Sequence, residues 1–173
     1  MTIETTTVPD AIDYLLNMIA ALPECAPPVA VLDGFPGEIS GLDTIVTVGG
    51  EMNPTATGTM SWAALGGPVP ARDERYTIDV GVWCWVGGSN NVDDLESLSD
   101  AQKTARDNAF TIVRAIEKAV RNDPTFGGLF GTGWSSVLDT FHVDQTNADT
   151  DPTQGRVCDV HFDVGVYSRR RTF

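Results

Sequence analysis

Positive charge is scarce in this chain. Lysine and arginine together number 11 against 24 aspartates and glutamates, and the formal net charge is −13. A protein that neutralises phosphates without regard to sequence needs the opposite balance, and so does a reader of anionic membrane surfaces. Long apolar runs are missing as well, since none approaches the roughly 20 residues that span a bilayer. Met1-Thr2-Ile3-Glu4 carries an acid where an export signal carries basic residues, so a cytoplasmic address is expected. The three cysteines, Cys25, Cys84 and Cys158, match no CxxC or Cys/His metal spacing. Odd in number and without an export signal, they read as reduced, buried thiols acting as small hydrophobes. What is present is 173 residues, 42% of them hydrophobic. That suits one domain over residues 1–173, able to bury roughly 70% of its unfolded surface.

Apolar spacing organises the chain. Ile12, Leu15, Leu16, Ile19 and Leu22 recur at helical intervals between Asp10 and Leu22, with Pro9 before them and Pro23 after. Val29–Leu32, the β-branched run Thr44–Val48 and the stretch Thr59–Ala63 are expected strands, each bounded by turn residues. From Tyr76 to Val86 the period is two: Tyr76, Ile78, Val80, Val82, Cys84 and Val86 on one face, Thr77, Asp79, Gly81, Trp83 and Trp85 on the other. Two indoles on an outward face point to cover by another layer or another subunit. A polar loop over 87–98 leads to a long helix from Ser99 to Asn122, with Ser99 and Gln102 as a capping box and Ala105, Ala109, Ile112, Val113, Ile116 and Val120 as its apolar stripe. Val137–Val143 and Arg156–Tyr167 are further strands. In the latter Val160, Phe162, Val164 and Val166 face in, while Asp159, His161, Asp163 and Gly165 face out. Residues 144–155 read as an exposed loop, and residues 168–173, with Arg169, Arg170 and Arg171, as a basic C-terminal tail. The pattern predicts an α+β domain whose mainly antiparallel sheet carries two amphipathic helices on one face.

Catalytic chemistry is hard to find. The glycines Gly127, Gly128, Gly131 and Gly133 lack the Lys-Ser/Thr of a phosphate loop, and Gly87-Gly88-Ser89 is followed by acids that repel phosphate. No GxSxG element occurs. Asp159, His161 and Asp163 alternate on one strand face, which is a conceivable metal site; a solvated or interface-lining strand accounts for the same pattern. No catalytic residue, cofactor or metal is expected. The arginine run is either a solubilising tail or an arm that pairs with carboxylates on a neighbouring copy.

Several segments carry a resemblance. These are Asp73-Glu74-Arg75-Tyr76-Thr77-Ile78-Asp79-Val80, then Ala105-Arg106-Asp107-Asn108-Ala109, then Asn122-Asp123-Pro124-Thr125-Phe126-Gly127-Gly128-Leu129, and finally Gly155-Arg156-Val157 with the closing arginines. Over about residues 72 to 171 the chain resembles the tail terminator proteins of long-tailed, siphovirus-type phages of actinobacteria. The resemblance implies a virion protein assembled in the host cytoplasm, whose homohexameric ring caps the tail tube, ends its polymerisation and meets a head-closure or connector protein. Its partners would be itself, the tail tube protein and that connector, with DNA passing through unbound and no membrane involved. On this reading Trp83, Trp85, Arg169, Arg170 and Arg171 are candidate subunit contacts. Asp144, Asp149 and Asp151 are the first candidates to line the channel, with Asp159 and Asp163 next. The alternatives are another neck or tail ring component, such as a head-closure or tube protein, and a small cytoplasmic enzyme binding metal through Asp159, His161 and Asp163.

Overall fold

Helix α1 (Val8–Ala20) starts on a proline-bearing turn and buries Ala11, Leu15 and Ile19. A short 3-10 turn, Pro23–Cys25, leads to β1 (Ala30–Asp33), β2 (Thr44–Val48), β3 (Ala56–Trp62) and β4 (Ala71–Val86), and then to α2 (Leu95–Asn122), β5 (Trp134–Asn147) and β6 (Arg156–Arg171). This computed structural model describes residues 6–37, 41–49, 55–62, 71–87, 95–147 and 155–171. The six strands form one mixed sheet in the order β1-β2-β4-β6-β5, with β3 paired to β4 beyond the end of β2. Among the described strands β1 and β2 run parallel and the other pairings are antiparallel. The expected α+β class and mainly antiparallel sheet are what the chain adopts.

One face of the sheet is the core. Val46 and Val48 of β2, Ile78, Val80, Val82 and Cys84 of β4, and Cys158, Val160, Phe162, Val164 and Val166 of β6 are buried there. Against them lie Ala105, Ala109, Ile112, Ile116 and Val120 of α2 and Leu15 and Ile19 of α1. All three cysteines are buried and free. Burial pushes the Cys25 and Cys84 thiols up to about 11, which keeps them protonated at neutral pH.

Four expectations need correction. Helix α2 begins at Leu95, inside the expected 87–98 loop, so Ser99 is not a cap and Gln102 instead donates to the Val157 carbonyl at 3.1 Å. Strand β4 begins at Ala71 rather than Tyr76, because β3 flanks it on one side and β6 on the other. Strand β5 runs on to Asn147, so Asp144 is a strand residue opposite Asp159 and not part of a loop. The arginines do not trail off, since Arg169, Arg170 and Arg171 continue β6 opposite Asp73, Arg72 and Ala71. On the other flank, the Arg169 amide donates to the Phe130 carbonyl at 3.1 Å. Bonded on both sides, this stretch satisfies its backbone and stays extended.

Two polar knots fasten α1. At its start, the Thr7 amide and hydroxyl both donate to Glu74 Oε2, at 2.8 and 2.6 Å, and the Tyr76 hydroxyl lies 2.9 Å from the Thr7 oxygen. Burial pushes the Glu74 carboxyl up, but the bonds from Thr7 and the Arg72 ion pair outweigh it and hold the group below its ordinary value. Further along the helix, the Tyr14 hydroxyl donates to Asp123 at 2.7 Å, and the same carboxylate accepts the Gly127 amide at 2.9 Å. Phe126, held at φ +48°, stacks on the Tyr14 ring at 5.2 Å. The Asn122–Leu129 segment is therefore a turn that clamps the end of α2 to α1.

Candidate functional site: the sheet face away from the helices

Strand alternation sends every second side chain of the long β4–β6 ladder away from the helices. The registers order these residues in rows. Asp73 faces Arg169, Arg75 faces Tyr167, Thr77 faces Gly165, Asp79 faces Asp163, Gly81 faces His161, Trp83 faces Asp159 and Trp85 faces Val157. Strands β2 and β3 extend the rows on one side and β5 on the other. Thr57 and Ser136 thus join the Thr77 row, Thr47 and His142 the Gly81 row, and Ile45 and Asp144 the Trp83 row.

Charge is segregated along the ladder. At one end, Arg169 pairs with Asp73 at 3.4 Å, and the Arg75 guanidinium lies 5.3 Å from the centre of the Tyr167 ring. At the other end, Asp79, Asp159 and Asp163 gather around the half-buried imidazole of His161, while Asp144 lies 3.0 Å from the exposed His142 ring. His161 Nδ1 is 3.4 Å from Asp79, and its Nε2 is 3.4 Å from Asp159. Gly81 makes room for that ring: a Cβ there would sit 3.0 Å from His161 Cε1 and 2.7 Å from the Thr47 hydroxyl. The Asp159 carboxylate and then that of Asp79 hold the imidazole protonated, raising its pKa to about 10. Burial and the neighbouring Asp79 charge push the Asp163 carboxyl up. Asp79 itself is only 5% exposed, so His161 serves as the counter-ion that lets an acid sit inside the sheet surface.

Between the two ends the smallest side chains leave a depression. Thr57, Thr77, Gly165 and Ser136, with Arg75, Trp134 and Tyr167 along its rim, line an open trough of about 550 Å³. Trp134 is 53% exposed there.

The sequence-derived candidates fall as follows. Trp83 and Trp85 do point away from the helices, and both are half-buried. Their cross-strand neighbours Ile45 and Val157 are buried on the same face. Gly155 closes on Trp85, since a Cβ there would meet the indole nitrogen at 2.5 Å. Asp144, Asp159 and Asp163 share one face with His161, whereas Asp149 and Asp151 lie outside the described residues. Asp79 was not singled out by sequence; its alternation with Gly81 and Trp83 places it on this face, but its pairing with His161 depends on the β4–β6 register. Among the described residues no group of three or more His, Cys, Asp or Glu is arranged to hold a metal ion, and no helix is long and apolar enough to cross a membrane. Compared with protein-family models and with curated proteins, the chain matches none.

Proposed function

We propose that the chain is a structural subunit of a phage tail, similar to a tail terminator, which assembles into a homohexameric ring. The ring ends growth of the tail tube, joins the tail to the head connector and lets DNA pass without gripping it. The observation that carries this reading is the sheet face away from the helices, which holds Asp144, Asp159 and Asp163 on a chain of net charge −13. A wall of that sign repels a duplex and gives it no phosphate contacts, so DNA slides without sticking. Turned toward a central channel, the face leaves α1 and α2 on the outside. Protonated His161 anchors Asp79 and Asp159 within the sheet surface, and Asp144 lies on the same face beside His142. No bond-making chemistry enters this function.

Electron microscopy of the purified protein, alone and mixed with tails lacking their cap, tests the reading. Rings seated on tube ends are the expected result. A protein that stays monomeric and ignores tube ends overturns it. A protein that polymerises into whole tubes, or that binds only the head connector, reassigns it to another neck or tail part.

A further inference from the structure

Among the described residues the sheet has three edges, and they are not equally guarded. Exposed edges normally carry some obstacle to further pairing, such as brevity, charge, proline or an irregularity. Strand β1 is four residues long. Strand β5 is broken by an irregularity between Val137 and Phe141, its start is covered by the Ser135 amide bonding to the Pro124 carbonyl, and its free half carries His142 and Asp144. Strand β3, Ala56-Thr57-Gly58-Thr59-Met60-Ser61-Trp62, has no charge, no proline and an unbroken register with β4. Thr57 to Ser61 are all exposed, Met60 at 54%. Among the described residues β3 pairs with β4 alone.

We propose that the free edge of β3 receives the free half of β5, Phe141–Asn147, from a second copy of this chain. Strand direction favours that junction. Across β3, β4, β6 and β5 every pairing is antiparallel, so the two outermost strands run in opposite senses. A copy set alongside in the same orientation presents β5 antiparallel to β3, and its face away from the helices stays on the same side. The contact is head-to-tail, the kind that closes into a ring when the rotation permits. Asp144 lies on the Trp83 row and Thr57 on the Thr77 row, so bringing them opposite staggers neighbouring sheets by about six residues, roughly 20 Å. Closing a sheet into a barrel demands a stagger of that kind.

Charge selects the partner. Arg75 is exposed on the strand next to β3, with the Tyr167 ring beside it and no carboxylate partner among the described residues. Thr57, Thr59 and Ser61 are short enough for its guanidinium to reach across them to Asp144 of the incoming strand. Two β5 edges brought together would instead crowd their own acids. Phe141, 63% exposed at the start of the free half, gains cover in the junction.

This proposal rests on the ring reading and fails separately from it. Sedimentation velocity is run on the wild type, Arg75→Asp, Asp144→Arg and the double variant, with amide exchange measured on dilute and assembled protein. All these positions are exposed, so unchanged circular dichroism is expected. Each single reversal should lower assembly several-fold and the double should recover it to within about twofold, as expected of a restored ion pair. Amides of Ala56–Trp62 and Phe141–Asn147 should slow on assembly. Rings that form with both segments exchanging unchanged, or a double variant no better than the singles, overturn the edge junction and leave the ring standing. A wild type that never assembles, with or without tails, overturns both.

Discussion

The two faces of one sheet are built on opposite rules. Toward the helices, β4 and β6 present mostly valine, isoleucine, phenylalanine and cysteine, with the buried Glu74 bonded to Thr7 and Arg72 at one end. Away from them, the same strands present aspartate, histidine, tryptophan, arginine and glycine. Stability on the first face comes mainly from apolar area removed from water and, Glu74 apart, is indifferent to pH. On the second it comes from pairing charges that the sheet itself has partly desolvated, and it varies with protonation. The first face makes the fold; the second is free to differ without unfolding it, and function is sought there.

The helix side is the more sensitive to substitution. Ile116→Ala, at a position fully shielded by the sheet, should cost about 2–5 kcal/mol in chemical denaturation. An effect below about 1 kcal/mol would mean that α2 is not docked as described.

The face away from the helices should reveal itself through pH. His161 binds its proton more tightly folded, at about 10, than unfolded, where an imidazole titrates near 6.5. Its contribution is therefore complete below about pH 6.5 and lost as pH rises toward 10. With the ring partly open to solvent, the loss should be on the order of 1–3 kcal/mol. His161→Gln should flatten that slope, and an unchanged slope would remove histidine from the account. Gly81→Ala should cost about 1–2 kcal/mol by forcing the imidazole and the Thr47 hydroxyl aside, and it should lower the His161 pKa in an NMR titration. The smallest effect belongs to Asp144→Asn, which should leave stability within about 0.5 kcal/mol of wild type. If it instead destabilises the isolated chain strongly, the division of labour between the faces is wrong.

Much of the fold could be read from local periodicity. Thr44–Val48 is β2 to the residue, and the alternation in β4 and β6 assigned their inner and outer sides correctly. What escaped was information carried between distant segments. Arg169–Arg171 looked like a tail because nothing nearby says that Ala71–Asp73 and the Phe130 carbonyl wait on either side. Leu95–Leu98 reads as loop because its acids and serines hide the helical phase, and Ser99 mimicked a cap within α2. On the candidate face, spacing brought Asp159, His161 and Asp163 together, but His161 turns to Asp79 on the neighbouring strand. Thr7 and Glu74, 67 positions apart, left no signal at all, since each looks like an ordinary surface residue in its own segment.

The double fastening of α1 has a consequence for how the polypeptide behaves when cut. Thr7 is bound to Glu74 near one end and Tyr14 to Asp123 further along, while Leu15 and Ile19 just beyond are fully sheltered. A protease nicking the exposed Ala26–Pro28 stretch would sever a peptide bond without freeing the helix. The two pieces should copurify under native conditions and separate only in denaturant. Made separately, they should find each other again as complementary fragments.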